Sequence, residues 1–195
     1  MDKNLPNKLT MSRVIAIPIF IAFFMMSFLH IGTIKIGTSY EIDIFRFVAA
    51  IIFVIASITD YFDGKIARKY NLVTNFGKLM DPLADKMLVV SALLLLTESR
   101  EINFLCTLLV VLRELTISSI RLIALEKNVV IAAAFWGKLK TASQMVALVL
   151  ILFNIYSINK TLYYIVYILF YLSTAFVVIS LVDYIIKSKS VFVEN

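Results

Sequence analysis

Apolar residues fill most of this chain in six long runs, and short polar or charged stretches punctuate them. Residues 1–9, MDKNLPNKL, are polar and basic and predict a short interfacial segment ahead of the first run. Thr10 to His30 predicts a first membrane span, and residues 31–42, IGTIKIGTSYEI, carry enough Gly, Thr and Ser to predict a loop. A second span begins near Asp43, passes through the apolar stretch Ile44–Ile58 and continues to about Tyr70. That is roughly 28 residues, or about 42 Å of helix against a hydrocarbon core of about 30 Å, so its far end projects to headgroup level. A third span runs from Asp81 to Thr97, with Pro82 suited to a first helical turn. At about 17 residues it is close to the minimum for crossing, so the charges at its start stay near the membrane. The charged turn ESRE follows at 98–101, then a fourth span over Ile102–Leu125 and a turn at 126–128. A fifth span within 131–153, a loop at 154–160, a sixth span over Thr161–Ile186 and a basic tail complete the chain. The pattern predicts an all-α integral membrane protein with six transmembrane helices in a single domain over residues 1–195.

Composition agrees with the pattern. The chain is 61% hydrophobic with a mean hydropathy of +0.93, whereas a soluble domain is about 45–50% apolar. The net charge of +6 matters through its distribution. Lys3, Lys8, Arg13, Lys65, Arg68, Lys69, Lys78, Lys86, Arg121, Lys127, Lys138, Lys140, Lys187 and Lys189 fall on one side of the six predicted spans. Only Lys35, Arg46, Arg100 and Lys160 fall on the other. The positive-inside rule therefore puts both termini in the cytosol, in a multi-pass protein of the cell membrane. Basic runs interleaved with aromatics are absent, which argues against nucleic acid as a partner and for membrane lipid. Cys106 is the only cysteine, so no intrachain disulfide forms. The first apolar run lacks a small-residue cleavage site and reads as a retained span rather than a secretory signal. His30 marks the interfacial end of that run and is assigned no role.

The chemistry concentrates between the second and third spans. Asp60 and Asp63 are three apart and Asp81 and Asp85 four apart, so each pair shares a helix face. Gly64 and Ala67 fall on the face of the first pair, leaving it acidic and sterically open. Four carboxylates at the membrane surface repel one another and are costly near lipid. Divalent cations, which prefer oxygen ligands, would relieve both problems. The plainer alternative is a solvated acidic loop balanced by Lys65, Arg68, Lys69, Lys78 and Lys86.

The order Asp60, Asp63-Gly64, Ala67-Arg68, Gly77, Asp81, Asp85 resembles the fixed motif of the CDP-alcohol phosphatidyltransferase family at every specified residue and every gap. The likeness extends to the six predicted spans and to the N-terminal PNKLTMSR. It implies transfer of a phosphatidyl group from a CDP-linked donor to an acceptor hydroxyl, with release of CMP. It also implies two Mg²⁺ or Mn²⁺ ions held by Asp60, Asp63, Asp81 and Asp85, with Asp85 as the catalytic base, and a homodimer. Gly64, Ala67, Arg68 and Gly77 match positions that accommodate or contact the CDP-diacylglycerol diphosphate. Asn7 and Thr10 either donate to that nucleotide or cap a helix.

For the acceptor, the segments VLRELTISSIR at 111–121 and GKLKT at 137–141 resemble the branch of the family that uses sn-glycerol 3-phosphate. Arg113, Arg121, Lys138 and Lys140 would then bind its phosphate, as a dianionic ester requires. The competing reading pairs Arg113 with Glu114 and lets the lysines reach toward headgroups. Lys138 and Lys140 point to nearly opposite sides of an ideal helix, so one pocket hardly takes both. Inositol phosphate, serine or phosphatidylglycerol as acceptor, and a divalent-metal transporter, remain as alternatives. Convergence of the acids at one interface disfavours transport.

Overall fold

Each apolar run forms a helix. The computed structural model describes residues 5–36, 40–69, 75–126 and 135–188. Its long helices are α1 (Leu5–Met26), α2 (Ile44–Lys69), α3 (Asn75–Glu98), α4 (Phe104–Glu126), α5 (Phe135–Leu152) and α6 (Lys160–Lys187). Between α1 and α2 stands an antiparallel hairpin of β1 (Thr33–Ile36) and β2 (Tyr40–Asp43), with Thr33 opposite Asp43 and Ile36 opposite Tyr40.

Three boundaries differ from the sequence expectation. Residues 5–9 are the first turns of α1 rather than a separate interfacial segment, because Pro6 falls in a first turn, where its missing N–H costs nothing. The stretch read as a loop at 31–42 contains the hairpin, whose paired strands satisfy backbone groups that a loop would leave to solvent. Helix α3 starts at Asn75 rather than near Asp81, so Pro82 lies inside it and removes one ladder hydrogen bond. The expected turn at 126–128 and the tail beyond Ser188 fall largely outside the described residues.

Short polar side chains set the helix starts. Asp43 Oδ1 accepts from the backbone N–H groups of Phe45 and Arg46 at 2.8 and 3.3 Å, capping α2. Asn103 Oδ1 accepts from Leu105 N–H at 2.8 Å for α4, and Asn159 Oδ1 from Leu162 N–H at 2.8 Å for α6. Each satisfies a donor that the first helical turn leaves unpaired.

The core is aromatic and small-residue in character. Phe20 and Phe24 of α1 pack with Phe53 of α2, the Phe20 and Phe53 rings 5.7 Å apart. Ala49, Ala50 and Ala56 are buried along α2 and let neighbouring helices approach closely. Leu88, Leu93 and Leu96 of α3 and Leu148 and Ile151 of α5 extend the same core. The exterior is apolar as well: Ile55, Leu94, Leu105, Leu115, Ile168 and Ile186 are each more than half exposed. A water-soluble monomer rarely shows so much large apolar surface. Among the described residues, α5 and α6 are long and apolar enough to cross a membrane, while the apolar parts of α1 and α2, Val14–Leu29 and Ile44–Thr59, are shorter. Length, hydropathy and exterior together associate the protein with a membrane.

One end of the bundle is tied by a polar network. Arg46, in the first turn of α2, donates to both carboxylate oxygens of Glu101 at 2.6 and 2.7 Å. It also donates to the carbonyls of Leu152 and Ile151 at the end of α5, at 3.0 and 2.7 Å. Ser99 and Tyr156 hydroxyls donate to Glu101 at 2.9 Å each. Burial and the Glu101 carboxylate push the Tyr156 phenol up from its ordinary pKa, so it remains a donor. The hairpin joins the same end, since Tyr40 OH donates to Phe153 O and Asn154 Nδ2 to Glu41 O, both at 2.7 Å.

Removing Glu101 leaves the Arg46 guanidinium buried without its partner, which costs about 3–5 kcal/mol. Glu101→Ala is expected to lower the thermal unfolding midpoint of the detergent-solubilised protein markedly. Glu41→Ala, which breaks the exposed Lys35–Glu41 pair, is expected to change it little, since such pairs contribute about 0–1 kcal/mol.

Candidate active site

The end of the bundle opposite the hairpin carries the aspartate motif. Asp60, Asp63, Gly64, Ala67 and Arg68 fall in the last turns of α2, and Gly77, Asp81 and Asp85 in the early turns of α3. Because α3 begins at Asn75, Gly77, Asp81 and Asp85 are three helical positions four apart and line one face. The side chains of these residues, and of Asn7 and Thr10 in the first turns of α1, lie outside the described part of the structure. The donor set itself fits a hard divalent cation: four carboxylates, with no sulfur or imidazole in the motif. Among the described residues, no group of three or more His, Cys, Asp or Glu comes together.

Next to this motif, α3, α4, α5 and α6 enclose a charged cluster. Arg113 of α4 is only 8% exposed. Its Nη1 donates to Glu114 Oε1 at 2.7 Å and its Nη2 to Ser180 Oγ of α6 at 2.8 Å. Its Nε is buried with no hydrogen-bond partner. Lys140 of α5, 4% exposed, donates to the same Glu114 Oε1 at 2.7 Å. Glu114 thus bridges two cations from two helices, which is how a charge is held in an apolar bundle. Lys86, the residue after Asp85 on α3, donates to Ser118 of α4.

A cavity of about 40 Å³ lies between α3, α4 and α5, with Lys86, Glu114, Lys140, Thr141 and Gln144 on its polar side. Gln144 is 2% exposed, and its side-chain nitrogen has no partner. Gly137 leaves room for Arg113, since a Cβ there would sit 3.3 Å from Arg113 Nη2 and 3.6 Å from Ser180 Oγ.

The four expected acceptor residues separate into two groups. Arg113 and Lys140 are buried and meet at Glu114. Lys138 is exposed, as the angle between Lys138 and Lys140 on one helix requires. Arg121 is exposed too, with its guanidinium 5.9 Å from the ring centre of Tyr184. The pairing of Arg113 with Glu114, one of two readings open in the sequence, is present. Ser118, Gln144 and Ser180 also belong to the cluster, and their sequence signal is only that each is polar within an apolar run.

An apolar helical bundle with an aspartate motif at one end and a buried cluster of Arg113, Glu114 and Lys140 beside it defines a membrane-associated helical protein. The chain belongs to the CDP-alcohol phosphatidyltransferase family, whose sequence model matches residues 3–183. A Bacillus subtilis protein named CDP-diacylglycerol–glycerol-3-phosphate 3-phosphatidyltransferase is 42% identical over 144 residues, covering 74% of each chain. The protein of that name from Mycoplasma pneumoniae is 36% identical over 208 residues, covering 98% of this chain and 88% of its own. The one from Haemophilus influenzae is 33% identical over 199 residues, covering 100% of this chain and 98% of its own.

Gly137→Val would place two further methyl carbons against Arg113 and Ser180. Overpacking of this kind costs about 1–3 kcal/mol. The expected result is a lower unfolding midpoint for Gly137→Val and a smaller drop for Gly137→Ala, read by thermal unfolding in detergent.

Proposed function

We propose that this protein transfers the phosphatidyl group of CDP-diacylglycerol to sn-glycerol 3-phosphate, forming phosphatidylglycerol phosphate and CMP. The observation that carries this reading is the full-length likeness to relatives bearing that one enzyme name. The complete run from Asp60 to Asp85 and the buried Arg113–Glu114–Lys140 cluster are its chemical support.

Asp60, Asp63, Asp81 and Asp85 would hold two divalent cations, Mg²⁺ or Mn²⁺. When bound, such ions neutralise the diphosphate and the oxygens at the reacting phosphorus. Asp85 takes the proton of the acceptor's hydroxyl as its oxygen bonds to the phosphatidyl phosphorus. The bond from that phosphorus to the bridging diphosphate oxygen breaks, and CMP leaves with that oxygen. Arg68 supplies a fork of donors for the diphosphate, Gly64, Ala67 and Gly77 allow close approach, and Asn7 and Thr10 meet the nucleotide. Arg113 and Lys140 attract the acceptor's phosphate, with the unpartnered Arg113 Nε as a donor ready for it. Arg121 and the exposed Lys138 supply attraction at the rim.

In this reading all six helices cross the cell membrane. The hairpin end lies outside and the aspartates face the cytosol, where the water-soluble acceptor and CMP are exchanged. The charge asymmetry of the connecting segments supports that orientation.

Two measurements test the proposal. Purified protein with CDP-diacylglycerol is expected to release CMP fastest with glycerol 3-phosphate among a panel that includes inositol phosphate, serine and phosphatidylglycerol. Asn at any of the four aspartates, or EDTA, should nearly abolish release, with Mg²⁺ or Mn²⁺ restoring it after EDTA. Preference for another acceptor would replace the proposed reaction with a sibling one, and full activity in chelator would remove the metals from it. For orientation, single cysteines at Lys35 and Lys187 in a Cys106→Ser background are expected to label from outside and from the cytosol, respectively. The reverse pattern, or labelling of both from one side, would contradict the six-crossing arrangement.

A further inference from the structure

We infer that Gln144 reads the secondary hydroxyl of the acceptor and so distinguishes a glycerol phosphate from a phosphate ester that lacks it. The inference rests on the proposed acceptor and deepens it.

Two independent observations carry it. The first is the cavity of about 40 Å³ between α3, α4 and α5, with Gln144 in its wall. The second is the Gln144 amide itself, 2% exposed with an unpartnered nitrogen. A buried amide donor without a partner carries a desolvation cost, and a ligand that satisfies it removes that cost. A hydroxyl suits either end of an amide, because it both donates and accepts.

Position selects which hydroxyl. Lys140 lies one helical turn before Gln144 on α5 and meets Glu114 beside Arg113. That is the phosphate side. Lys86, across the cavity, directly follows Asp85 on α3. That is the reacting side. Glycerol 3-phosphate has its phosphate on one terminal carbon and the reacting hydroxyl on the other, with the secondary hydroxyl between them. An acceptor stretched from Arg113 and Lys140 toward the aspartates of α3 therefore brings its central carbon to the cavity. The local charge suits it: Arg113, Lys140 and Lys86 are cationic and Glu114 is the one anion lining the cavity among the described residues.

A site built to hydrogen-bond a hydroxyl rejects the analogue lacking it, because the buried polar group is left unpaired. The probe is 3-hydroxypropyl phosphate, which keeps the phosphate and the reacting hydroxyl but has no secondary one. CMP release by the full-length wild type, supplied with CDP-diacylglycerol and Mg²⁺, is expected to show a kcat/KM about ten- to a hundredfold higher for glycerol 3-phosphate than for the probe. Gln144→Met keeps the side chain's length but not its donor. It is expected to lose most of its rate with glycerol 3-phosphate and little with the probe, so that the ratio falls to within about threefold of one. Gln144→Glu retains an acceptor for the hydroxyl and is expected to keep part of the ratio, which holds the test open if the Met variant fails to insert.

A purely structural role for Gln144 would lower both substrates together and leave the ratio unchanged, overturning the inference. Equal use of both acceptors by the wild type would overturn it as well. No CMP release by the wild type with glycerol 3-phosphate would overturn the proposed reaction, and this inference with it. Turnover of glycerol 3-phosphate with an unchanged ratio in the Gln144 variants would overturn the inference alone.

Discussion

The Arg46–Glu101 contact holds the frame on which the other end of the molecule is built. Helices packed in an apolar surrounding gain little from hydrophobic burial against each other, so shape, hydrogen bonds and paired charges decide how they sit. Arg46 joins the start of α2 to the turn after α3 and to the last carbonyls of α5, groups that a helix C-terminus leaves without partners. Tyr156 adds the turn before α6 through the same carboxylate. With one end pinned in this way, the depth and rotation of α2, α3 and α5 are limited at the other. The aspartates of α2 and α3 and the cations of α4 and α5 inherit their positions from that constraint.

Counter-charge recurs at both ends with different outcomes. At the hairpin end, the Arg46 guanidinium has a partner for each of its nitrogens, and Asp43 Oδ2 is the buried side-chain atom left unpaired among the described residues there. At the aspartate end, closure is incomplete. Glu114 satisfies Lys140 and one arm of Arg113, while Arg113 Nε and the Gln144 amide nitrogen stay unpaired. Incomplete satisfaction of buried polar groups is expensive in a stable core and expected where a ligand completes the set. The two ends differ in kind: unpaired donors gather beside Glu114, whereas the hairpin end leaves a carboxylate oxygen unpaired.

Much of this was legible in the chain, and what was not has physical reasons. The six helices followed from apolar runs too long for anything else. The aspartate motif was fully specified by residue type and gap. The divergence of Lys138 from Lys140 followed from helical angle alone and reappears as one exposed and one buried lysine. The hairpin was obscured because its strands are four residues each and flanked by Gly, Thr and Ser, which signal a loop equally well. The early start of α3 was hidden by Pro82, which ordinarily marks a first turn and here stands inside the helix. Ser180, Ser118 and Gln144 could not be assigned, because a contact between helices depends on relative depth and rotation, which no local pattern encodes.

The ties at the hairpin end join residues far apart in the chain. Arg46 and Glu101 are 55 residues apart, Arg46 and Leu152 106, and Tyr40 and Phe153 113. A ribosome adding about 5–20 residues per second reaches Glu101 roughly 3–11 s after Arg46, and the end of α5 some seconds later still. Through that interval the guanidinium has neither its carboxylate nor its carbonyls. The first helical pair is therefore made as an unfinished piece, with the Arg46 cation held in reserve at its hairpin edge. Biogenesis of this protein is sealed from its second half backward: the emerging fifth helix supplies the last acceptors and locks segments made long before it.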